Sequence, residues 1–456
     1  MHNLFILRAI FRQLFFDKYS AFDQVRVRLL GLGPHGGGVV FIMVHHIHGT
    51  AGLILSAEIG GTLRQYFNHG KPAVLDRLFY DLGDLLGMVG GGNDAFIGRV
   101  HRIAARIDGE FELISGALSS TIEKSIASGK ALGLSKDRNY GTFQDMAKCE
   151  ARLAEGIEAV VIVTPNHMHY PVAREFLKRG IHVICDKPLT ATLSEAKKMV
   201  AAVNKSDSLF ILTHNYTGYP MVRQARELVE SGALGKLRLV QVEYVQEWLT
   251  EQVNNKQANW RTDPMRSGVG GSIGDIGTHA YNLSKFVTGL SLSHLSADLD
   301  AFVPGRRVDD NANVMMRFEG GAKGMLWCSQ VAPGNENGFR LRVYGERGGI
   351  EWQQENPNHL WYTSFGEPKR LLTRGGAGTS LTANALNRIP AGHPEGYLEG
   401  FANIYSEAAR SIRAAQACQP VPKDVYCQDV MDGMEGIRFI NACVKSSSRN
   451  SAWVSL

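Results

Sequence analysis

Leu85-Leu86-Gly87-Met88-Val89-Gly90-Gly91-Gly92-Asn93-Asp94-Ala95-Phe96-Ile97-Gly98-Arg99-Val100-His101 is the stretch on which the fold turns. Residues 85–89 read as a short apolar strand, the glycines as a tight turn, and Ile97 onward as a helix running to about residue 107. Residues 112–118 are predicted as a second strand and 120–132 as a second helix. Strand, glycine loop and helix in that order make a β-α-β unit. Such a loop leaves backbone N–H groups free at a helix N-terminus, where the helix dipole favours a pyrophosphate. Glycine is needed because a Cβ would hold the phosphates away. Gly90, Gly92, Ile97 and Gly98 are the candidate contacts.

A glycine loop alone is a weak signal, since a plain turn looks the same. Three further units strengthen it. Residues 158–163 form an apolar run ending in Thr164-Pro165-Asn166, and a helix to residue 179 follows. Residues 182–185 form another, ending in Asp186-Lys187-Pro188, and a helix over 194–203 leads to a last strand at 209–212. Continuous apolar strands alternating with amphipathic helices indicate a parallel sheet covered on both faces. Ligands of such sheets lie beyond the carboxyl ends of the strands, where Asn166, His169 and Lys187 fall. An NAD site usually carries an acid at the end of the second strand. Here that strand ends Ala117-Leu118-Ser119-Ser120, with Lys124 one turn on. Hydroxyls beside an ammonium suit a 2′-phosphate, so the cofactor is NAD or NADP with a lean to NADP.

After residue 212 the rhythm changes. A helix over 220–231 precedes strands at 237–248, 313–318, 323–330, 339–344 and 349–352, with Glu319-Gly320-Gly321 as a hairpin turn. Residues 372–391, carrying Gly375-Gly376-Ala377-Gly378, read as a mobile loop, and a helix over 397–415 follows. The fold class is therefore α/β: an N-terminal Rossmann dinucleotide-binding domain plus an α+β C-terminal domain with a large open, mainly antiparallel sheet. The domains divide as 1–84, an accessory or poorly ordered extension; 85–213, dinucleotide-binding; and 214–456, substrate-binding and oligomerisation. Within the last lies Gly270-Gly271-Ser272-Ile273-Gly274-Asp275-Ile276-Gly277-Thr278-His279, opening a helix that reaches about residue 286. Asp275 and His279, four apart, share a helix face. A carboxylate beside an imidazole can fix its tautomer and make a general base that works near neutral pH.

Composition bounds the rest. In 456 residues, 49 basic against 44 acidic side chains leave +5, too little and too dispersed for a nucleic-acid partner. No apolar run is long enough for a membrane span. The six cysteines form no CxxC pair, which suits scattered thiols in a reducing, cytoplasmic setting. His45, His46 and His48 have no Cys, Asp or Glu near them to complete a ligand set, so no metal is expected. In residues 1–84 neither helical periodicity nor clean strand alternation is visible.

Four motifs in order resemble the Gfo/Idh/MocA family of oxidoreductases, which includes glucose–fructose oxidoreductase and inositol dehydrogenase. They are the glycine loop ending Ile97-Gly98-x-x-His101, Thr164-Pro165-Asn166-x-x-His169, Asp186-Lys187-Pro188, and Gly270-Gly271-x-x-x-Asp275-x-Gly277-x-His279. The resemblance runs from Leu85 to the C-terminus. It implies that Lys187, Asp275 and His279 form the catalytic set. Pro165, Asn166, His169 and Lys187 would adjoin the nicotinamide and its ribose, Ser119 and Lys124 would read a 2′-phosphate, and Lys187–Pro188 would be cis. It further implies hydride transfer to or from a secondary alcohol of a sugar, sugar derivative or cyclic polyol such as an inositol; Tyr216, Trp260 and Arg261, on segments expected to line the cleft, are the candidates to stack on or bond to its hydroxyls. A homodimer or homotetramer joined through the open sheet is expected. Two other readings stand beside this one: a redox-neutral glycosidase that retains its cofactor, and a non-catalytic dinucleotide sensor. Two departures are visible. Asn93-Asp94-Ala95-Phe96 lengthens the glycine loop, and residues 1–84 match nothing in the family.

Overall fold

The computed structural model describes residues 83–93 and 95–456, the Lys256 side chain excepted. In the first 82 residues it describes only the backbone of three strands, β1 (Arg26–Leu29), β2 (Val40–His46) and β3 (Gly49–Leu55), which pair antiparallel in that order. These strands lie where no clean alternation was visible. The other expectations for residues 1–84 fall outside the described residues.

From Asp84 onward the chain forms one compact unit built on two sheets. The first has five parallel strands in the order β5-β4-β6-β7-β8: β4 (Asp84–Gly90), β5 (Phe111–Ala117), β6 (Ala159–Val163), β7 (His182–Asp186) and β8 (Phe210–Thr213). Central β6 shows why the apolar runs were continuous. Every residue of Ala-Val-Val-Ile-Val is buried, because helices cover both faces and leave no side for polar groups. The order steps from β4 outward in both directions, so the crevice at the carboxyl ends of β4 and β6 is the switch point where such sheets take ligands.

The second sheet runs β16-β15-β14-β13-β9-β12-β11-β10-β17. Its strands are β9 (Leu237–Val245), β10 (Leu292–Asp300), β11 (Asn311–Phe318), β12 (Lys323–Ser329), β13 (Gly338–Gly345), β14 (Gly348–Gln353), β15 (His359–Ser364), β16 (Arg370–Thr373) and β17 (Val454–Ser455). All pair antiparallel except β9 with β12. In β11 and β12 alternate residues are buried, as a sheet covered on one face requires. The other face shows Met315, Met325 and Trp327.

Two segments differ from their sequence readings. The helix Tyr397–Gln416, read with residues 214–456, packs Phe401, Ile404, Tyr405 and Ala408 into the same cluster as Leu86 and Met88 of the first sheet. His101, from the family-like motif, anchors it, with Nδ1 2.7 Å from the Tyr405 hydroxyl. The glycine-rich segment read as a mobile loop is pinned by Arg374, which is 2% exposed. Its guanidinium donates to the carbonyls of Ile389 (3.0 Å) and Pro390 (3.1 Å) and pairs with Glu395 (3.0 Å). Nothing in the glycine pattern announces a buried cation that satisfies the loop's backbone.

Candidate active site

A cleft of about 1030 Å³ opens from the glycine loop at the end of β4 to the helix carrying His279. At the first end, the helix Phe96–Ile107 begins at Ala95 with no side-chain cap and no acid in its first turn. Its leading N–H groups are thus left for an anion, as a pyrophosphate needs. Gly90, Gly92 and Ile97 line the cleft, while Gly98 serves another purpose. A Cβ on Gly98 would lie 2.3 Å from the Cα and carbonyl oxygen of Gly91, so glycine is what lets helix and loop touch. Backbone cannot give way as a side chain can. Gly98→Ala should therefore cost about 1–3 kcal/mol of stability and weaken dinucleotide binding, checked by thermal unfolding and by titration with reduced cofactor.

At the end of β5, Ser119, Ser120, Thr121 and Lys124 line the cleft. Among its described lining residues the carboxylates are Asp186 and Asp275, neither of them near this end of the sequence. The groups present here can therefore donate to either ribose hydroxyls or a 2′-phosphate.

The second motif meets the cleft through Pro165 and Asn166, and Asn166 Nδ2 also reaches across to the Ser267 carbonyl at 2.8 Å. His169 does not line it. That ring is 1% exposed, with its nitrogens 2.8 Å from the Pro188 carbonyl and 3.0 Å from that of Thr164. The expectation of a direct cofactor contact is corrected on this point: His169 sits behind the wall between two motif backbones, and its neutral ring has one N–H to donate to their carbonyls. The Lys187–Pro188 bond is cis.

Lys187 and Asp275 meet. Lys187 Nζ donates to the Asp275 carboxylate at 3.0 Å and to its backbone carbonyl at 2.8 Å. Asp186 is not its partner, since that carboxylate accepts from the Lys187 backbone N–H at 2.9 Å. Arg261 Nε (3.1 Å) and Gln330 Nε2 (3.0 Å) complete the shell of Asp275. Burial pushes this carboxyl up, but the Lys187 and Arg261 charges outweigh it and hold the group ionised well below the usual range. The turn Ile273–Gly277 that presents Asp275 is π-helical. It is held at its start by the buried Asp309 carboxylate, which accepts from Gly271 N (2.6 Å), Ser272 Oγ (2.6 Å) and Ile273 N (2.8 Å). At Gly271 a Cβ would sit 1.9 Å from the Asp309 carbonyl.

His279 lies one turn on, 7% exposed, at the start of the helix Thr278–Thr288. No hydrogen bond joins it to Asp275 among the described residues. This corrects the reading of Asp275 as the group that fixes the imidazole's tautomer: two cations and an amide compete for the carboxylate, and a neutral ring loses. His279 Nδ1 is instead buried without a partner. The ring packs edge-to-face with Tyr216 (centroids 4.9 Å apart) and His214 (5.6 Å). Burial, Lys187 and His214 together hold its pKa well below the ordinary value, and Asp275 opposes them. Tyr216, Trp260 and Arg261 line the cleft, with Arg261 stacked 4.4 Å above the Trp260 ring.

Sequence reading missed Gln246, Trp248, Asn337 and Gln354, which also line the cleft, and His214 against His279. The two-residue spacing Tyr244, Gln246, Trp248 could have drawn attention to the first two, since the sequence reading ran the strand on to residue 248, although β9 ends at Val245. Asn337 and Gln354 flank strand ends and carry no local signal. No group of three or more His, Cys, Asp or Glu among the described residues could hold a metal ion. No helix described is long and apolar enough to cross a membrane.

Comparison with known proteins bears on the same residues. Residues 85–214 match the oxidoreductase family with an NAD-binding Rossmann fold, and 222–351 the GFO/IDH/MocA C-terminal domain. An oxidoreductase of Sinorhizobium meliloti is 62% identical at a TM-score of 0.76, over 82% of this chain and 99% of that one. An inositol dehydrogenase homolog of Azotobacter vinelandii, solved with NADH and myo-inositol, is 32% identical at 0.78, over 82% and 98%. A levoglucosan dehydrogenase of Pseudarthrobacter phenanthrenivorans is 28% identical over 60% of this chain and 75% of its own. With both models matched in chain order on the two sheets that build the cleft, the chain belongs to the Gfo/Idh/MocA family and is an NAD(P)-binding oxidoreductase.

Proposed function

We propose that this cleft reversibly oxidises a secondary hydroxyl of an uncharged sugar, sugar derivative or cyclic polyol. One observation carries the reading: Lys187, held by Asp275, and His279 line the same cleft that begins at the glycine loop. The nicotinamide, when bound, supplies the hydride acceptor. His279 takes the hydroxyl proton, and because Nδ1 is buried it does so at Nε2. Lys187 donates to the reacting oxygen and stabilises the charge that develops there. Asp275 aims Lys187 and keeps its cation in place. The names of the two relatives that take myo-inositol or levoglucosan lend support, as ring polyols and anhydro-sugars both present secondary hydroxyls.

NAD and NADP differ by one phosphate, and Ser119 with Lys124 favours the phosphate-bearing form, although the Azotobacter relative was solved with NADH. Because no cationic stripe or nucleic-acid motif competes, the partner is a small molecule, with a second copy of the chain on the open sheet face. The test is absorbance at the reduced-nicotinamide band, with NAD and NADP tried separately against inositols, aldoses and glycosides. Cofactor reduction by at least one polyol is expected. Glycoside cleavage without net reduction, or no turnover across the panel, would sink the reading.

A further inference from the structure

Part of the cleft lining is a single chain of hydrogen bonds with a fixed direction. Trp248 Nε1 lies 3.1 Å from Gln246 Oε1. An indole N–H can only donate, so the amide atom facing it must be the oxygen. That turns the Gln246 nitrogen toward Asn337, where Nε2 donates to Oδ1 at 2.8 Å. Asn337 Nδ2 is then the atom that meets Gln354 Oε1, at 3.0 Å. The Tyr244 hydroxyl donates to the same Asn337 oxygen at 2.9 Å. With that proton committed, Tyr216 must be the donor in the 2.6 Å contact between the two hydroxyls.

Counting protons gives the wall its character. All three amide oxygens accept within the chain, whereas each amide nitrogen keeps at least one N–H unspent on it. Gln246, Asn337 and Gln354 all line the cleft, and their unspent N–H groups are the polar hydrogens they have left for a ligand there. The charges point the same way. Of the cleft's cations, Lys187 and Arg261 are already paired with Asp275, so neither stands free for an anionic substrate.

We propose that Gln246, Asn337 and Gln354, polarised by Trp248, are the specificity-determining residues of the cleft. They read hydroxyl oxygens remote from the reacting carbon as hydrogen-bond acceptors, and so select a neutral polyol and its orientation. This rests on the polyol reading above. An apolar wall barely distinguishes a substrate from its deoxy analogue, whereas a wall of half-buried donors that the substrate covers leaves an N–H unpaired when the hydroxyl is gone.

The test compares the polyol found in the screen with its monodeoxy and monodeoxy-fluoro analogues, fluorine keeping some acceptor character while losing the donor. In the unmodified enzyme, deletion of one remote hydroxyl should raise KM about tenfold or more, and fluorine should restore part of the loss. In Asn337→Leu, KM for the parent polyol should rise about tenfold, with kcat within about threefold and the deoxy and fluoro analogues no longer distinguished. Affinity for reduced cofactor should not change. Should Asn337→Leu fail to bind cofactor, Trp248→Phe decides: it removes only the group that sets the direction and should blunt the fluoro-over-deoxy preference. Unchanged KM and unchanged analogue ranking in a variant that binds cofactor normally would overturn the proposal. An enzyme that reduces neither cofactor with any polyol would instead refute the function, and the wall's role with it.

Discussion

Lys187→Met should lower kcat/KM by about a thousandfold or more and leave affinity for the reduced cofactor within about threefold. An ammonium has three N–H groups, and two of them are committed to Asp275, at its carboxylate and its backbone carbonyl. One remains for the reacting oxygen, held in direction by the other two. Methionine keeps the length and packing of the stem and removes all three. The fold should survive, because Asp275 keeps Arg261 and Gln330 as partners and is not stranded as a buried lone charge. The glycine loop is untouched, so binding and turnover should separate. Steady-state kinetics beside a fluorescence titration with reduced cofactor measure both. A variant that melts lower but turns over normally would show Lys187 to be only a strut between the two sheets.

What could be read from the sequence was what local chemistry dictates. The fully buried β6 announces itself because burial on both faces permits nothing but apolar residues. The alternation in β11 and β12 follows from one covered face in the same way. Contacts between distant segments were not legible, and the site depends on them. Asp275 and His279 stand four apart, but Lys187, Arg261 and Gln330, from three other segments, take the carboxylate. Spacing reports who is near along the helix and cannot report who arrives with a stronger charge. His169 shows the converse error: a polar residue in a motif was assigned to the ligand, when its ring N–H was needed by the carbonyls of the two adjoining turns. Asp309 and Arg374 were invisible for a related reason. Each is a buried charge most of whose partners are backbone groups, and backbone groups carry no letter in the sequence.

The second large effect concerns His279, and its size should be the smaller of the two. Burial, the Lys187 charge and His214 all disfavour a proton on this ring, and only Asp275 favours one. A base whose pKa is depressed is unprotonated throughout the neutral range and is lost only as pH falls through the depressed value. The kcat/KM profile for oxidation should therefore stay flat on the acid side through pH of about 6.5, the ordinary histidine value. The same depression makes His279 a weak acceptor, so more of the barrier falls to the donor on the alcohol oxygen. Hence His279→Asn should cost about a hundredfold in kcat, less than Lys187→Met. The residual activity of two neighbouring variants fixes the assignment by sign. Asp275→Asn removes the one raising influence and should move the acid limb to still lower pH. Lys187→Met removes a lowering one and should move the limb upward. If both variants shift it in the same direction, or if the unmodified enzyme loses activity with a midpoint near 6.5, the titrating group is not this buried imidazole.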